Sequence, residues 1–165
     1  MDFAVLPHRS ASPIYPLTIK KFIIIPKIPV FMKKVMAFGS FDILHEGHKH
    51  YLREAKSYGD YLIVVVARDS NILKFKGREP RNNENYRLEQ VKKLELVDKA
   101  VLGHKDDILE VVKEFSPDVI CLGYDQKTVD EGKLKLELEK RNLKAKVVRA
   151  KPYKEDVYKS SKLGQ

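Results

Sequence analysis

Two histidines separated by three positions are the residues of this sequence best placed to do chemistry. His45 and His48, joined by Glu46 and Gly47, open an amphipathic segment. Residues three apart lie close to one helical turn from each other, so both imidazoles converge on whatever occupies the helix N-terminus. Unpaired backbone N–H groups and the helix dipole favour a phosphate there. The nearby His50 is out of register and is predicted to face solvent.

A glycine turn comes just before the histidine pair. Gly39 ends a short apolar run and is followed by Ser40, Phe41 and Asp42. With no side chain at Gly39, the backbone N–H groups of the next two residues are expected to approach a phosphate closely. Gly47 likewise leaves room for a ring or a phosphate. Three roles stay open for Asp42: holding a divalent metal, assisting an acceptor, or capping the first helix turn.

A metal site is the main alternative use for the two imidazoles. A zinc site needs at least three protein ligands, and His45 and His48 have no third thiol or imidazole in register with them. The single cysteine, Cys121, lies in an apolar run and is predicted to be a buried strand thiol. We therefore expect phosphate binding and no metal held by the protein alone.

The elements that must position these residues alternate between strands and helices. Apolar, β-branched runs predict strands at residues 34–39, 61–67, 99–102, 119–122 and 144–149. Amphipathic segments predict helices at residues 46–58, from 85 onward, at 106–115 with Ile108 inward, and ending near 141 with Leu134, Leu136 and Leu138. The polar stretch 68–85 is predicted to be one long loop. The alternation indicates an α/β fold with a doubly wound, Rossmann-like parallel five-stranded sheet.

The fold class indicates where a ligand would bind. In the common strand order 3-2-1-4-5, the first and fourth strands are neighbours at the point where the order reverses, and ligands bind beyond their carboxyl ends. Those ends are the turn at residues 39–42 and a second turn containing Gly123, Tyr124 and Asp125. We expect both turns to face one crevice, with Lys74 and Lys76 on the long loop nearby.

Composition narrows the class of protein and its partners. Lys and Arg number 32 against 23 Asp and Glu, a formal net charge of +9 over 165 residues, which favours an anionic partner without choosing which. A single cysteine fits a reducing cytoplasm. Residues 1–31 are rich in proline, and their apolar cluster is too short to span a membrane. We interpret them either as an extension outside a domain of residues 32–165 or as the product of a misassigned start site.

The quoted residues resemble a known group of enzymes. The turn and the histidine pair are similar to the G-T-F-D-x-x-H-x-G-H signature of the cytidylyltransferase-like nucleotidyltransferases. Further similarity, over about residues 33–162, is to archaeal FAD synthetases, relatives of glycerol-3-phosphate cytidylyltransferase. It includes the segments Ala67-Arg68-Asp69, Gly77-Arg78-Glu79-Pro80, residues 97–103 and Leu122-Gly123-Tyr124-Asp125-Gln126.

The resemblance implies transfer of AMP from ATP to FMN, giving FAD and pyrophosphate, with a divalent cation such as Mg²⁺ bound with the triphosphate. It implies three groups of site residues. The catalytic residues would be His45, His48 and Lys76. Nucleotide would be bound by Gly39, Ser40, Phe41, Asp42, His45, Gly47, His48, Lys74, Gly123, Asp125, Arg149, Ser160 and Ser161. The acceptor phosphate would be bound by Lys74, Lys76 and Arg87.

Two other functions stay open at this point. One is cytidylyl transfer from CTP to glycerol 3-phosphate or a similar phosphorylated alcohol. The other is a nucleotide- or RNA-binding module without turnover, although the aromatic motifs of RNA-binding domains are absent from the sequence. The resemblance further implies a cytoplasmic homodimer that binds no nucleic acid and no membrane, and it does not decide whether Lys74 or Lys76 is the essential lysine.

Overall fold

A computed structural model describes residues 31–126 and 129–153 of the chain. Its five strands are β1 (Lys34–Gly39), β2 (Tyr61–Val66), β3 (Lys99–Leu102), β4 (Val119–Leu122) and β5 (Lys146–Arg149). Its five helices are α1 (Glu46–Ser57), α2 (Asp69–Lys76), α3 (Glu84–Lys92), α4 (Leu109–Phe115) and α5 (Glu131–Lys140). Within this part of the chain, no helix is long and apolar enough to cross a membrane. The predicted extension at residues 1–31 lies, apart from its last residue, outside the described residues.

The strands form one parallel sheet in the order β3-β2-β1-β4-β5, which confirms the predicted topology. Neighbouring residues of β1 point to opposite faces, so Val35 and Ala37 join one core and Met36 the other. The first core includes Leu52 of α1 and Val91 of α3, and the second is built on α4 and α5. Both faces of the central strands are covered, which explains their continuously apolar sequence.

The prediction of one long loop over residues 68–85 is wrong, because α2 occupies its first half. Only Ile72 of this helix is buried, so the sequence shows little of the periodicity that marks an amphipathic helix. The helix ends at Gly77, which adopts φ +69°, a left-handed conformation that glycine takes without steric cost. Its start is fixed by a contact with α3: the Asp69 N–H donates to Glu84 Oε2 at 3.0 Å.

The helix predicted at residues 106–115 needs two corrections. The helix expected from residue 106 begins at Leu109, and the Ile108 side chain, predicted to point inward, is 51% exposed. In α5, Leu134 and Leu138 pack toward the second core, whereas Leu136 is 52% exposed. Residues two apart lie on different sides of a helix, so three leucines at alternate positions cannot share one buried face.

Candidate active site

The turn that links β1 to α1 is shaped by Phe41. This residue has a positive φ of 49°, and its side chain is 1% exposed. A Cβ placed on Gly39 would lie 2.6–3.0 Å from three atoms of the Phe41 ring. The space that Gly39 leaves is therefore filled by the phenyl ring, while the approach of a phosphate to the backbone N–H groups of Ser40 and Phe41 stays a prediction. Ser40, between them, keeps its place at the carboxyl end of β1.

The two histidines lie together at the start of α1. His45 is the N-cap residue, and its carbonyl accepts from the backbone N–H groups of His48 at 3.0 Å and Lys49 at 3.2 Å. The two imidazoles stack with centroids 3.8 Å apart and planes 26° apart. The Phe41 ring meets the His48 ring edge-on, with centroids 5.3 Å apart. Gly47 is the second residue of the helix. The two imidazoles lie together at the N-terminus of α1, as predicted.

The surroundings of the two imidazoles favour their neutral forms. Burial lowers the pKa of His48 from 6.5 to about 3, and the neighbouring His45 acts in the same direction. Burial also lowers the pKa of His45, although the negative charge of Asp125 acts against this effect. Near neutral pH each ring therefore carries a single N–H group that can donate a hydrogen bond.

Strands β1 and β4 separate beneath the site, and two side chains fill the gap. The hydroxyl of Tyr51, on α1, donates to the Cys121 carbonyl at 2.7 Å and accepts from the Phe38 N–H at 3.2 Å. The Gln126 Nε2 group donates to the Phe38 carbonyl at 2.6 Å. The sequence reasoning missed Tyr51 as a polar bridge because its helical spacing marked it as a core residue.

His50, expected to face solvent, instead stacks on Tyr153 with centroids 4.3 Å apart.

The second predicted turn follows β4 and is braced from β5. The Gly123 N–H donates to Gln126 Oε1 at 3.1 Å, and Asp125 is exposed. The Arg149 guanidinium donates to the carbonyls of Gly123 at 2.9 Å and of Val129 at 3.0 Å, and its Nε donates to a carboxylate of α5. Arg149 thus supports the turn from below, while its contact with nucleotide stays a prediction.

The two candidate lysines lie in the last turn of α2 rather than on a loop. The Lys76 Nζ donates to Ser40 Oγ at 3.0 Å, which joins the end of α2 to the β1–α1 turn. Loss of hydration lowers the pKa of Lys76, and Asp125 acts in the opposite direction. The Lys74 side chain is exposed, with Nζ 5.9 Å from the centre of the Phe75 ring. Lys76 lines one pocket with both histidines, whereas Lys74 is not among the residues that line it.

Asp42 holds a neighbouring loop instead of capping α1. Its carboxylate accepts from the backbone N–H groups of Arg81 and Asn82, each at 2.9 Å. The Asn82 side chain returns a hydrogen bond to the Asp42 carbonyl at 2.7 Å. These contacts attach the loop of residues 77–83 to the β1–α1 turn. The α1 N-cap has no side-chain hydrogen bond, so of the open roles the capping role is the one the geometry does not support.

Arg87 is buried, contrary to the prediction that it presents a cation to an acceptor phosphate. Its exposure is 0%, and its guanidinium donates to the carbonyls of Ser40, Ala67 and Asn82. A further hydrogen bond and ion pair reach Asp69 Oδ1 at 2.7 Å. The backbone carbonyls come from three different connections, so Arg87 clamps together the segments around the site. No periodicity in the sequence distinguishes an inward arginine from a surface one.

One pocket contains all three predicted catalytic side chains. It is lined by Ser40, Asp42, Ile43, His45, His48, Ile72, Lys76, Arg78, Glu79, Pro80 and Arg81. Ser160 and Ser161, predicted to bind the triphosphate, lie outside the described residues. Among residues 31–126 and 129–153, no three His, Cys, Asp or Glu side chains are grouped to hold a metal ion. The pocket thus presents imidazoles, one amine and two guanidinium groups, a set of donors suited to phosphate oxygens.

Comparisons with known proteins agree with this arrangement. Residues 36–164 match a protein-family model described as cytidylyltransferase-like. The chain is 50% identical over 130 residues to the FAD synthase of Thermoplasma acidophilum, covering 79% of this chain and 90% of that protein. It is 53% identical over 122 residues to the FAD synthase of Aciduliprofundum boonei, covering 74% and 80% of the two chains.

Solved structures show the same fold. A crystal structure named the lipopolysaccharide core biosynthesis protein from Thermoplasma volcanium GSS1 is 49% identical, with a TM-score of 0.71 over 74% of this chain and 98% of that one. The pantoate-beta-alanine ligase of Francisella tularensis, 15% identical with a TM-score of 0.58 over 84% of this chain and 67% of that one, shares the fold alone. This chain matches the family model over most of its length and has the expected fold and histidine turn. It therefore belongs to the cytidylyltransferase-like family.

Proposed function

We propose that this chain transfers the adenylyl group of ATP to FMN, giving FAD and pyrophosphate. Relatives about half identical to it over most of its length are named FAD synthase, an activity whose substrates are ATP and FMN. The observation that carries the proposal is the pocket at the carboxyl ends of the strands, where His45 and His48 lie beside Lys76. Such a group of donors suits two phosphate-bearing substrates that must meet.

The reaction is a direct displacement at phosphorus. A phosphate oxygen of FMN attacks the α-phosphorus of ATP, a new P–O–P link forms, and the bond from the α-phosphorus to the bridging oxygen breaks as pyrophosphate leaves. The attacking oxygen is already ionised near neutral pH, so no general base is required. Catalysis then depends on alignment and on donors for the charge that moves to the leaving group. The N–H groups of His45 and His48 and the Lys76 ammonium supply those donors.

A divalent cation such as Mg²⁺ is proposed to enter with the triphosphate. No group of three suitable side chains is present among the described residues, and Asp42 already accepts two backbone hydrogen bonds. Mg²⁺ commonly binds phosphates together with one or two carboxylates, so a dedicated cage is not needed. When bound, the ion neutralises triphosphate charge. Addition of EDTA to the purified protein should leave its fold intact and abolish FAD formation, and restored Mg²⁺ should restore it.

The substrate pair is tested by incubating the purified protein with ATP and FMN, or with CTP and glycerol 3-phosphate. Conversion of FMN to FAD quenches flavin fluorescence, and pyrophosphate release is followed in both mixtures. We expect FAD and stoichiometric pyrophosphate from the first mixture and neither product from the second. Pyrophosphate from CTP alone would instead assign the protein to cytidylyl transfer.

We also propose that the enzyme works as a cytoplasmic homodimer that binds no nucleic acid. The single cysteine, buried in β4, is compatible with a reducing compartment. Light scattering of the purified protein measures its mass directly, and a monomer would reject the dimer. A gel-shift titration with RNA and DNA tests whether the protein binds nucleic acid. It is run at physiological salt because a strongly basic protein can bind nucleic acid nonspecifically at low salt.

A further inference from the structure

We propose that Arg78 and Arg81, on the loop of residues 77–83, bind the phosphate monoester of the acceptor. This inference rests on the proposed function and assigns the acceptor side of the same pocket. Both arginines line the pocket that contains the two histidines, whereas Arg87, which the sequence had suggested for this role, is 0% exposed and bonded to backbone carbonyls. The side chains that bind the acceptor phosphate must therefore be residues other than Arg87.

The loop that carries these arginines is fixed next to the reacting centre. Its backbone is held at Arg81 and Asn82 by the carboxylate of Asp42, which itself belongs to the β1–α1 turn. At its start, Gly77 closes α2 directly after Lys76, whose Nζ is bonded to Ser40 Oγ at 3.0 Å. The loop is thus anchored at both sides of Arg78. A guanidinium attached to a held backbone loses less freedom when it binds a ligand.

The charge around the loop also favours an anionic ligand. Lys76, Arg78 and Arg81 all line the pocket. Loss of hydration is the main cause that lowers the pKa of Lys76, the positive charge of Arg78 acts in the same direction, and Asp125 and Asp42 act against it. Of the two carboxylates in the lining, Asp42 accepts two backbone hydrogen bonds, and Glu79 is exposed, as are the three cations. A phosphate dianion would relieve this concentration of like charges.

The two ends of the pocket suit different phosphate groups. The stacked imidazoles and the α1 N-terminus offer single donors and a dipole, which suit the chain of phosphates in ATP. A guanidinium offers parallel N–H donors in one plane, which match the terminal oxygens of a monoester. Lys76 lines the same pocket as both groups, and its Nζ donates to Ser40 Oγ. In this arrangement the attacking phosphate of the acceptor and the α-phosphate of ATP meet near Lys76.

The test compares FMN with riboflavin, which has the same ring system but no phosphate. Flavin fluorescence is titrated with the full-length protein in the presence of a non-hydrolysable ATP analogue and Mg²⁺. In the doubly substituted variant Arg78→Gln/Arg81→Gln we expect Kd for FMN to rise by about 100-fold, because each lost charge-assisted contact costs about tenfold. We expect Kd for riboflavin to change by less than about twofold, because only phosphate contacts are removed. Arg53→Gln, an exposed arginine of α1 outside the pocket lining, is the matched control.

The possible results separate this inference from the proposed function. If wild-type protein binds FMN and makes FAD, but the double variant keeps the same ratio of FMN to riboflavin affinity, the arginines do not bind the acceptor phosphate. If the double variant instead loses affinity for the ATP analogue with the FMN to riboflavin ratio unchanged, the arginines belong to the nucleotide side and the inference is wrong. Failure of wild-type protein to bind any flavin would reject the proposed function itself.

Discussion

The chemistry of His45 and His48 depends on how their imidazoles are held. The rings stack at 3.8 Å and His48 is further enclosed by Phe41, so a proton on either ring is disfavoured. A neutral ring keeps one N–H donor without repelling its neighbour. Binding of a triphosphate would bring negative charge next to both rings. We therefore expect the pair to act as a set of preorganised donors rather than as an acid and a base.

Removing either imidazole should affect turnover far more than folding. For His45→Ala and His48→Ala we expect kcat for FAD formation to fall by about 10²–10³-fold, the usual cost of losing one donor to developing charge. His48→Asn retains an N–H donor and should lose less than His48→Ala. Initial rates of FAD formation measure the effect, and circular dichroism checks the fold. Rates within about twofold of wild type in both alanine variants would refute the assigned roles.

The buried state of His48 predicts a dependence of stability on pH. The unfolded histidine titrates near 6.5 and the folded one at about 3, so acid favours the unfolded chain. The contribution of a neutral His48 to the stability of the fold is fully retained above pH 6.5, and it is lost as pH falls from 6.5 toward the pKa of the folded state. Between pH 6.5 and about pH 5 we expect a loss of about 2 kcal/mol in the free energy of unfolding.

A denaturant-melting comparison isolates that effect. His48→Asn cannot gain the proton, so its free energy of unfolding should decline less between those two pH values than that of wild type. The solvent-exposed His104 provides the control, since His104→Asn should leave the decline unchanged. Parallel pH dependences for wild type and His48→Asn would show that His48 is not protonated on unfolding in this range.

At the scale of elements, the site is assembled from connections rather than from the strands themselves. Arg87 of α3 links the end of β1, the end of β2 and the loop of residues 77–83. Asp69 and Glu84 cap each other's helices, at 3.0 Å and 3.1 Å. Sequence reasoning could place the strand ends, because apolar runs and glycines mark them. It could not find these links, since they are made by polar side chains whose partners leave no periodic pattern in the sequence.

The clamp formed by Arg87 should be primarily structural. Arg87→Met removes the buried guanidinium and leaves buried carbonyls and Asp69 without their donor, so we expect a loss of about 3–5 kcal/mol in the free energy of unfolding. Urea denaturation measures it, with the exposed Arg53→Gln as the control. A variant that melts like wild type and shows only a raised KM for FMN would return Arg87 to the acceptor site.

The β1–α1 turn should be intolerant of a single methyl group. In Gly39→Ala the new Cβ would lie within 2.6 Å of the Phe41 ring, and displacing this buried ring should cost about 1–3 kcal/mol. Gly103→Ala is the matched control, because its Cβ would meet its nearest neighbour at an ordinary 3.4 Å. Thermal melting compares the two. Equal losses would show that the crowding at Gly39 is relieved by a small shift of the turn.

At the scale of the whole molecule, the alternation of apolar runs and amphipathic segments was sufficient to predict the parallel sheet and its order. It also predicted that the turns after β1 and β4 lie side by side, and β1 and β4 are hydrogen-bonded neighbours. The placement of α2 was missed because most of its side chains are exposed and leave no periodic signal. The choice of substrate is harder to predict from sequence. One side of the pocket is formed by the loop of residues 77–83, whose sequence has no repeating pattern.

The single cysteine can report how often the centre of the β-sheet opens to solvent. Cys121 lies in β4 directly beneath the crevice, its carbonyl is bonded to Tyr51, and burial raises the pKa of its thiol to about 12. An alkylating reagent can therefore modify it only when the central sheet opens, so the labelling rate reads the population of open molecules. Saturating ATP and FMN should slow labelling in proportion to their binding, because ligands that bind only the closed protein reduce the open population, whereas labelling unaffected by either substrate would show that neither binds the closed form selectively.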